Sequence, residues 1–273
     1  MLHRRTLALF AAIAAMALVP STAAAWAPAG SATIHPGVQT DTDGGQCTSN
    51  FIYTSGSDVF IGQAAHCSGT GAATETDGCD SGSLPLGTKV NVTGASRPGT
   101  MVYNSWLAMQ AAGESDPNAC AYNDLALVKL DPADVSKVNP SVPGYGGPNG
   151  IGGANPVSDV FSYGNSSLRL GLTQTSPKQG KVVSVEGDGW SRTVYTVTPG
   201  IPGDSGSAFL NASGQALGTL STVAIAPTPL SNGVGDIAKE LAYARSHGFS
   251  GLGLVNGTEP FTPNTVGAVL GAR

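Results

Sequence analysis

Charge is scarce in this sequence. Of its 273 residues only 11% are Asp, Glu, Lys or Arg, and aromatics supply 6%. A coiled coil or a long solvated helix needs far more Glu, Lys and Arg, so both are excluded. Basic residues are the minority: 13 Lys and Arg stand against 18 Asp and Glu, a formal net charge of −5. That balance argues against nucleic acid and anionic membrane surfaces as partners. Long apolar runs are missing as well, with one exception at residues 6–19. A helix that crosses ~30 Å of hydrocarbon needs about 20 apolar residues, so this run is too short to span a bilayer.

The exception is read as an address. His3, Arg4 and Arg5 precede the run, Pro20 breaks it, and Ala23-Ala24-Ala25 follows. A basic start, a short apolar stretch and small residues are the parts of a secretory signal, expected over residues 1–25. The mature chain is then secreted and extracellular, without membrane contact after signal cleavage. Loss of Arg4 and Arg5 also makes it two charges more negative.

Glycine and proline are abundant, at 38 and 18. They punctuate the chain with turns and favour short strands. Hydrophobic residues make up 41%, enough to bury a core, which excludes global disorder. Short apolar or β-branched runs recur at 50–53, 59–61, 88–92, 125–130, 157–163, 181–185, 193–198, 207–210 and 216–223. This is the pattern of an all-β sandwich or barrel. A Pro/Gly-rich stretch at 139–156 divides the runs into two groups and reads as an interdomain linker. Two segments read as helices. One covers 105–112. The other starts near Asp236, carries Ile237, Leu241 and Ala244 at helical spacing, and stops at Gly248.

The four cysteines, Cys47, Cys67, Cys79 and Cys120, all follow the signal. An even number in an exported chain points to two disulfides. Zinc would need close ligand pairs of the C-x-x-C kind. The only adjacent pair is His66-Cys67, so no metal is expected.

Three clusters carry chemistry. Gln63-Ala64-Ala65-His66-Cys67 places a histidine after a strand and beside a covalent anchor. A general base must be held within hydrogen-bond reach of its nucleophile, and such an anchor does that. Asp116, Asp131 and Asp134 read as turn caps. Asp124 instead opens the apolar run Leu125-Ala126-Leu127-Val128, and a carboxylate at the edge of a buried strand needs a partner. Orienting an imidazole is one such task. Gly203-Asp204-Ser205-Gly206-Ser207 flanks one serine with glycines, leaving its hydroxyl open. A turn of this kind can aim successive backbone N–H groups at one oxyanion.

Together these residues resemble the chymotrypsin-like (trypsin-fold) serine proteases, of a bacterial secreted type. That family carries Ala-Ala-His-Cys, Asp-Leu-Ala-Leu and Gly-Asp-Ser-Gly in this order, and all three occur here. The order His, Asp, Ser separates it from unrelated folds with the same triad. An α/β-hydrolase would need the serine first and a glycine where Ser207 stands. The Gly206-Ser207-Ala208 sequence after the serine is a variant of the more usual Gly-Gly-Pro.

The resemblance implies an all-β fold of two six-stranded antiparallel β-barrels with a short C-terminal helix. Residues 26–145 would form the first barrel, with His66 and Asp124. Residues 146–273 would form the second, with Ser205. It implies Ser205 as nucleophile, His66 as base and Asp124 as its orienting group. The N–H groups of Gly203 and Ser205 would form the oxyanion hole. It implies a Cys47–Cys67 disulfide, which leaves Cys79 with Cys120. Asp204 would take an Arg partner, Arg169 or Arg192.

The substrate pocket would be lined by Pro199, Gly200 and Ile201 and by Ser221, Thr222 and Val223. Trypsin-like enzymes carry Asp six residues before the catalytic Ser. Pro199 stands there, and neither segment contains a charge. Cleavage after uncharged residues is expected, because a buried ion would lack a counter-charge. The implied protein is a monomeric endopeptidase acting on protein or peptide substrates without any cofactor. An inactive protease-like binding protein is the alternative. Its usual sign is a missing triad member, and none is missing. A β-sandwich adhesin would have to match all three motifs by chance.

Overall fold

The computed structural model describes residues 25–43, 45–72, 75–223 and 230–264, and of Val223 the backbone alone. The expected signal segment lies outside these residues, apart from Ala25. Seven strands come from the first half: β1 (Gln39–Thr42), β2 (Gly45–Thr48), β3 (Ile52–Ser55), β4 (Asp58–Ala64), β5 (Lys89–Val92), β6 (Gly99–Asn104) and β7 (Leu125–Lys129). Six follow in the second: β8 (Asp159–Tyr163), β9 (Pro177–Glu186), β10 (Ser191–Val197), β11 (Ala208–Asn211), β12 (Ala216–Val223) and β13 (Asn232–Asp236). The short β14 (Gly253–Leu254) is last.

β8 to β13 close into a six-stranded antiparallel barrel in the order β10-β13-β12-β11-β8-β9. The first half is an eight-stranded antiparallel sheet, β14-β3-β4-β7-β6-β5-β1-β2. Its extra edge strand is β14, where Gly253 and Leu254 pair with Thr54 and Tyr53. A segment beyond the second-half barrel strands thus returns to the sheet built by the first half.

Burial explains the strand patterns. β5 alternates exposed and buried residues, as a strand with one wet face must. β4 and β7 lie in the sheet centre and are buried along nearly their whole length, so they read as continuous apolar runs. One core spans both halves: Phe51, Tyr53, Leu125 and Leu127 of the first meet Phe161, Leu210, Ile237 and Leu241 of the second. The 139–156 stretch is packed rather than free. Tyr145 is buried in this core, and its hydroxyl donates to the Lys178 carbonyl at 3.0 Å.

Among the described residues three α-helices are present: α1 (Ser105–Ala112), α2 (Pro117–Tyr122) and α3 (Ile237–Ser246). Each starts where its cap dictates. The side chains of Asn104, Asp116 and Asp236 accept the free N–H groups of the first turns. The 105–112 expectation matches α1, and the helix expected near Asp236 is α3. Both disulfides form as implied, Cys47–Cys67 over 20 residues of sequence and Cys79–Cys120 over 41. The first closes a loop next to His66, a restraint worth roughly 3 kcal/mol in the chain-entropy view.

Candidate active site

Strand register brings His66 and Asp124 together. The last rung of the β4–β7 ladder pairs Ala64 with Leu125. One step beyond it, the Ala65 N–H donates to the Asp124 carbonyl at 3.0 Å. The chain then turns through a short 3₁₀ segment, Ala65–Ser68. The Asp124 carboxylate, 4% exposed, meets three donors. These are the His66 N–H at 2.9 Å, His66 Nδ1 at 2.7 Å and the Ser221 hydroxyl at 2.5 Å. A carboxylate can only accept, so Nδ1 carries the proton and Nε2 is left with its lone pair. The Cys47 and Cys67 sulfurs lie within 4.8 Å of the imidazole nitrogen. Both are committed to the disulfide, which removes the thiolates a metal would need.

Burial disfavours the imidazolium of His66, but the Asp124 charge and its hydrogen bond outweigh this. The His66 pKa therefore lies above the ordinary 6.5.

The Gly203–Ser207 turn sits against the end of β4. Gly203 has φ +92° and Gly206 φ +88°, the left-handed region that side chains strain to enter. A Cβ on Gly206 would lie 2.5 Å from the Thr48 carbonyl and 2.9 Å from the Ala64 nitrogen. That close approach brings the turn to within two residues of His66. The Thr48 N–H donates to the Ser205 carbonyl at 2.8 Å, and the Gly206 N–H to the Leu220 carbonyl at 2.7 Å. Ser205 is half-buried. Among the described residues no hydrogen bond joins its hydroxyl to His66. The N–H groups of Gly203 and Ser205 likewise donate to no protein acceptor among them.

Asp204 anchors the turn from below. Its carboxylate takes Arg169 Nη2 at 2.5 Å and Lys178 Nζ at 2.8 Å. It also accepts the N–H groups of Ser166 at 3.0 Å and Ile201 at 3.1 Å. Burial raises its pKa, but the Lys178 and Arg169 charges outweigh burial and hold it below 3.8. Burial pulls the Lys178 ammonium down to about 8 against the Asp204 charge. Of the two arginines left open by the sequence, Arg169 is the partner. Arg192 pairs instead with Asp236 at 2.6 Å. Sequence reasoning missed Lys178, which nothing in its local pattern distinguishes from a surface lysine.

The expected pocket segments lie on either side of the serine turn. The Gly200 N–H donates to Asn232 Oδ1 at 2.9 Å, and a Cβ on Gly200 would lie 2.6 Å from Asn232 Nδ2. The Pro199 carbonyl accepts Lys178 Nζ at 3.1 Å, and Ile201 is tied to Asp204. The β12–β13 register slips between Leu220 and Thr222. Such a bulge re-aims a side chain, and here Ser221 points at Asp124. Thr222 faces Gly233. The Val223 side chain lies outside the described residues.

Comparison with solved structures finds three that this chain resembles, the first of them close enough to show the fold. Protease A of Thermobifida fusca aligns at 21% identity over 82% of this chain and 99% of its own, with a TM-score of 0.53. The chymotrypsin of Cellulomonas bogoriensis aligns at 17% identity over 81% and 98%, with a TM-score of 0.49. The Nocardiopsis protease aligns at 17% over 81% and 98%, at 0.48. No protein-family profile and no curated protein sequence matches. The chain has the chymotrypsin-like fold.

Proposed function

We propose that this chain is a secreted serine endopeptidase that works through Ser205, His66 and Asp124. One observation carries the reading: a His66–Asp124 pair, locked by three donors, stands beside a serine turn with two uncommitted N–H groups. Ser205 Oγ attacks the scissile carbonyl carbon, and its proton passes to His66 Nε2. Asp124 stabilises the imidazolium so formed. The oxyanion is received by the N–H groups of Gly203 and Ser205. Collapse breaks the C–N bond, and the leaving amine takes the proton from Nε2. Water repeats the sequence on the acyl-enzyme, again with His66 as base, and frees Ser205.

The reading includes export through the 1–25 signal, a first domain over 26–145, a second over 146–273, and a monomeric mature protein. Two disulfides suit an oxidising compartment. Among the described residues, no helix is long and apolar enough to cross a membrane.

The proposed substrate pocket is uncharged. Lys178 reaches the Thr198 and Pro199 carbonyls, but its side chain is fully buried and faces Asp204. Among the described residues no free charge is thus presented to a substrate side chain by these segments, and cleavage follows uncharged residues such as Ala, Val or Leu. Incubation with a mixed peptide library tests function and specificity together. Internal cleavage after uncharged residues is expected. A profile dominated by Arg, Lys or Glu at that position would refute the pocket, and no internal cleavage at all would refute the function.

The pH dependence follows from His66. The base must be neutral, and its pKa is raised above 6.5, so kcat/KM falls on acidification with a midpoint above 6.5. Asp124→Asn removes the charge that outweighs burial. The midpoint of the residual activity should then drop below 6.5. An unchanged midpoint in Asp124→Asn would contradict the pairing.

A further inference from the structure

A carboxyl group lies in the interior behind Asp124. On α3, Ile237, Glu240, Leu241 and Ala244 share the buried face. Three are apolar and the fourth is an acid at 0% exposure. Among the described residues no cation pairs with it. Its Oε1 accepts the Asp124 main-chain N–H at 3.2 Å, and its Oε2 accepts the Thr219 hydroxyl at 3.2 Å. Thr219 Oγ1 in turn accepts Asn50 Nδ2 at 3.3 Å, and Asn50 Oδ1 accepts the Tyr53 hydroxyl at 3.0 Å. The chain of contacts runs from α3 through β12 to the residue that leads into β3, and every member is buried.

Space for the carboxyl is made on purpose. A Cβ on Gly235 would lie 2.5 Å from Glu240 Oε1. The charged groups acting on Glu240 are Asp124 and Asp236, both acids, and the phenols of Tyr53 and Tyr103 feel its charge in return. Burial, with the Asp124 charge behind it, pushes the Glu240 pKa up to about 8. The carboxyl is therefore predominantly neutral at pH 7. A neutral acid costs the interior less than an anion and leaves Asp124 the nearest negative charge to His66.

We propose that Glu240 is a positioning residue for the His66–Asp124 pair, holding the Asp124 main chain at the point from which both carboxylate oxygens reach His66. This rests on the serine-protease reading above. Asp124 approaches His66 through one oxygen on the ring and one on the main-chain N–H, so a small shift of its Cα spoils both bonds. Misplacement of about 1 Å can cost ~100-fold in rate. Glutamine has the same shape and offers the same acceptor to the Asp124 N–H. Its amide can donate to the Thr219 hydroxyl oxygen, so Glu240→Gln should preserve the seat.

The test compares wild type with Glu240→Gln, Glu240→Leu and Gly235→Ala. The last leaves Glu240 in place and pushes its carboxyl off Asp124. Kinetics on one peptide substrate are read with the His66 titration by NMR. Glu240→Leu and Gly235→Ala should lower kcat by roughly 10- to 100-fold with KM unchanged, and move the His66 midpoint down. Glu240→Gln should stay within about threefold of wild type with the midpoint in place. Wild-type kcat and midpoint in Gly235→Ala or Glu240→Leu would overturn the proposal, and so would a Glu240→Gln as impaired as Glu240→Leu. If Glu240→Leu fails to fold, Gly235→Ala and Glu240→Gln decide. A wild-type protein that cleaves no peptide defeats the protease reading instead, and the His66 titration still reports on Glu240.

Discussion

Ser205→Ala should reduce kcat/KM by roughly 10⁴-fold or more, because nucleophile, base and orienting carboxylate act as one unit. Without the hydroxyl no acyl-enzyme can form, and the lone pair on His66 Nε2 has no proton to take. The same logic makes the losses non-additive. His66→Ala should cost about as much as Ser205→Ala, and the double variant little more. Residual hydrolysis in all of them would come from binding and from the Gly203 and Ser205 N–H groups. Steady-state rates on a peptide found in the library profile supply the measurement. Hydrolysis by Ser205→Ala near the wild-type rate would remove Ser205 as nucleophile.

Asp204→Asn should be the most destabilising single substitution near the site. The carboxylate faces two cations, with Lys178 at 0% and Arg169 at 8% side-chain exposure. Removing its charge leaves both in the interior without their partner, a loss of about 3–5 kcal/mol for a buried pair broken on one side. The turn bearing Ser205 loses its anchor at the same time, so activity should fall together with stability. The pH dependence has a definite sign. The folded-state pKa of Asp204 lies below 3.8. Its stabilisation is thus complete above 3.8 and lost as pH falls through the folded value. Thermal unfolding should show a wide gap between wild type and variant at pH 7, narrowing below about pH 3.8. Equal unfolding temperatures at pH 7 would contradict the clamp.

The sequence made some of this legible because certain residues announce their roles locally. The run 125–130 is apolar since β7 is central, and the helix over 105–112 is capped by Asn104 and ends at Gly113, which adopts φ +64°. Other elements gave no such signal. β13 reads Asn-Gly-Val-Gly-Asp, which looks like a turn. Its glycines are there for close approach: Gly233 faces Thr222, and Gly235 makes room for Glu240. β14 is two residues long and exists only because the sheet edge at β3 accepts it. α2 starts with a legible Asp116 cap and Pro117, but six residues are too few for periodicity to emerge.

The site divides in the same way. His66, Asp124 and Ser205 stand in motifs, because their spacing to Cys67, Leu125 and Gly206 is local. The bond from Ser221 to Asp124 leaves no sign in the sequence, because it depends on the register slip after Leu220. Arg169 and Arg192 were equivalent candidates for Asp204, since sequence distance says nothing about which strand faces which turn. Glu240 left a trace, an acid on the buried face of an otherwise apolar helix stripe. Its partner, the Asp124 N–H, lies 116 positions away and is visible only once the halves are packed.

Reaction of the purified protein with a fluorophosphonate, followed by peptide mapping, tests the central assignment most directly. One adduct is expected, on Ser205 Oγ, formed with displacement of fluoride. Its formation should slow sharply in His66→Ala and below the His66 midpoint, where the base is protonated. A folded wild-type protein that takes no label, or takes it on another residue while Ser205 stays unmodified, would contradict the assignment.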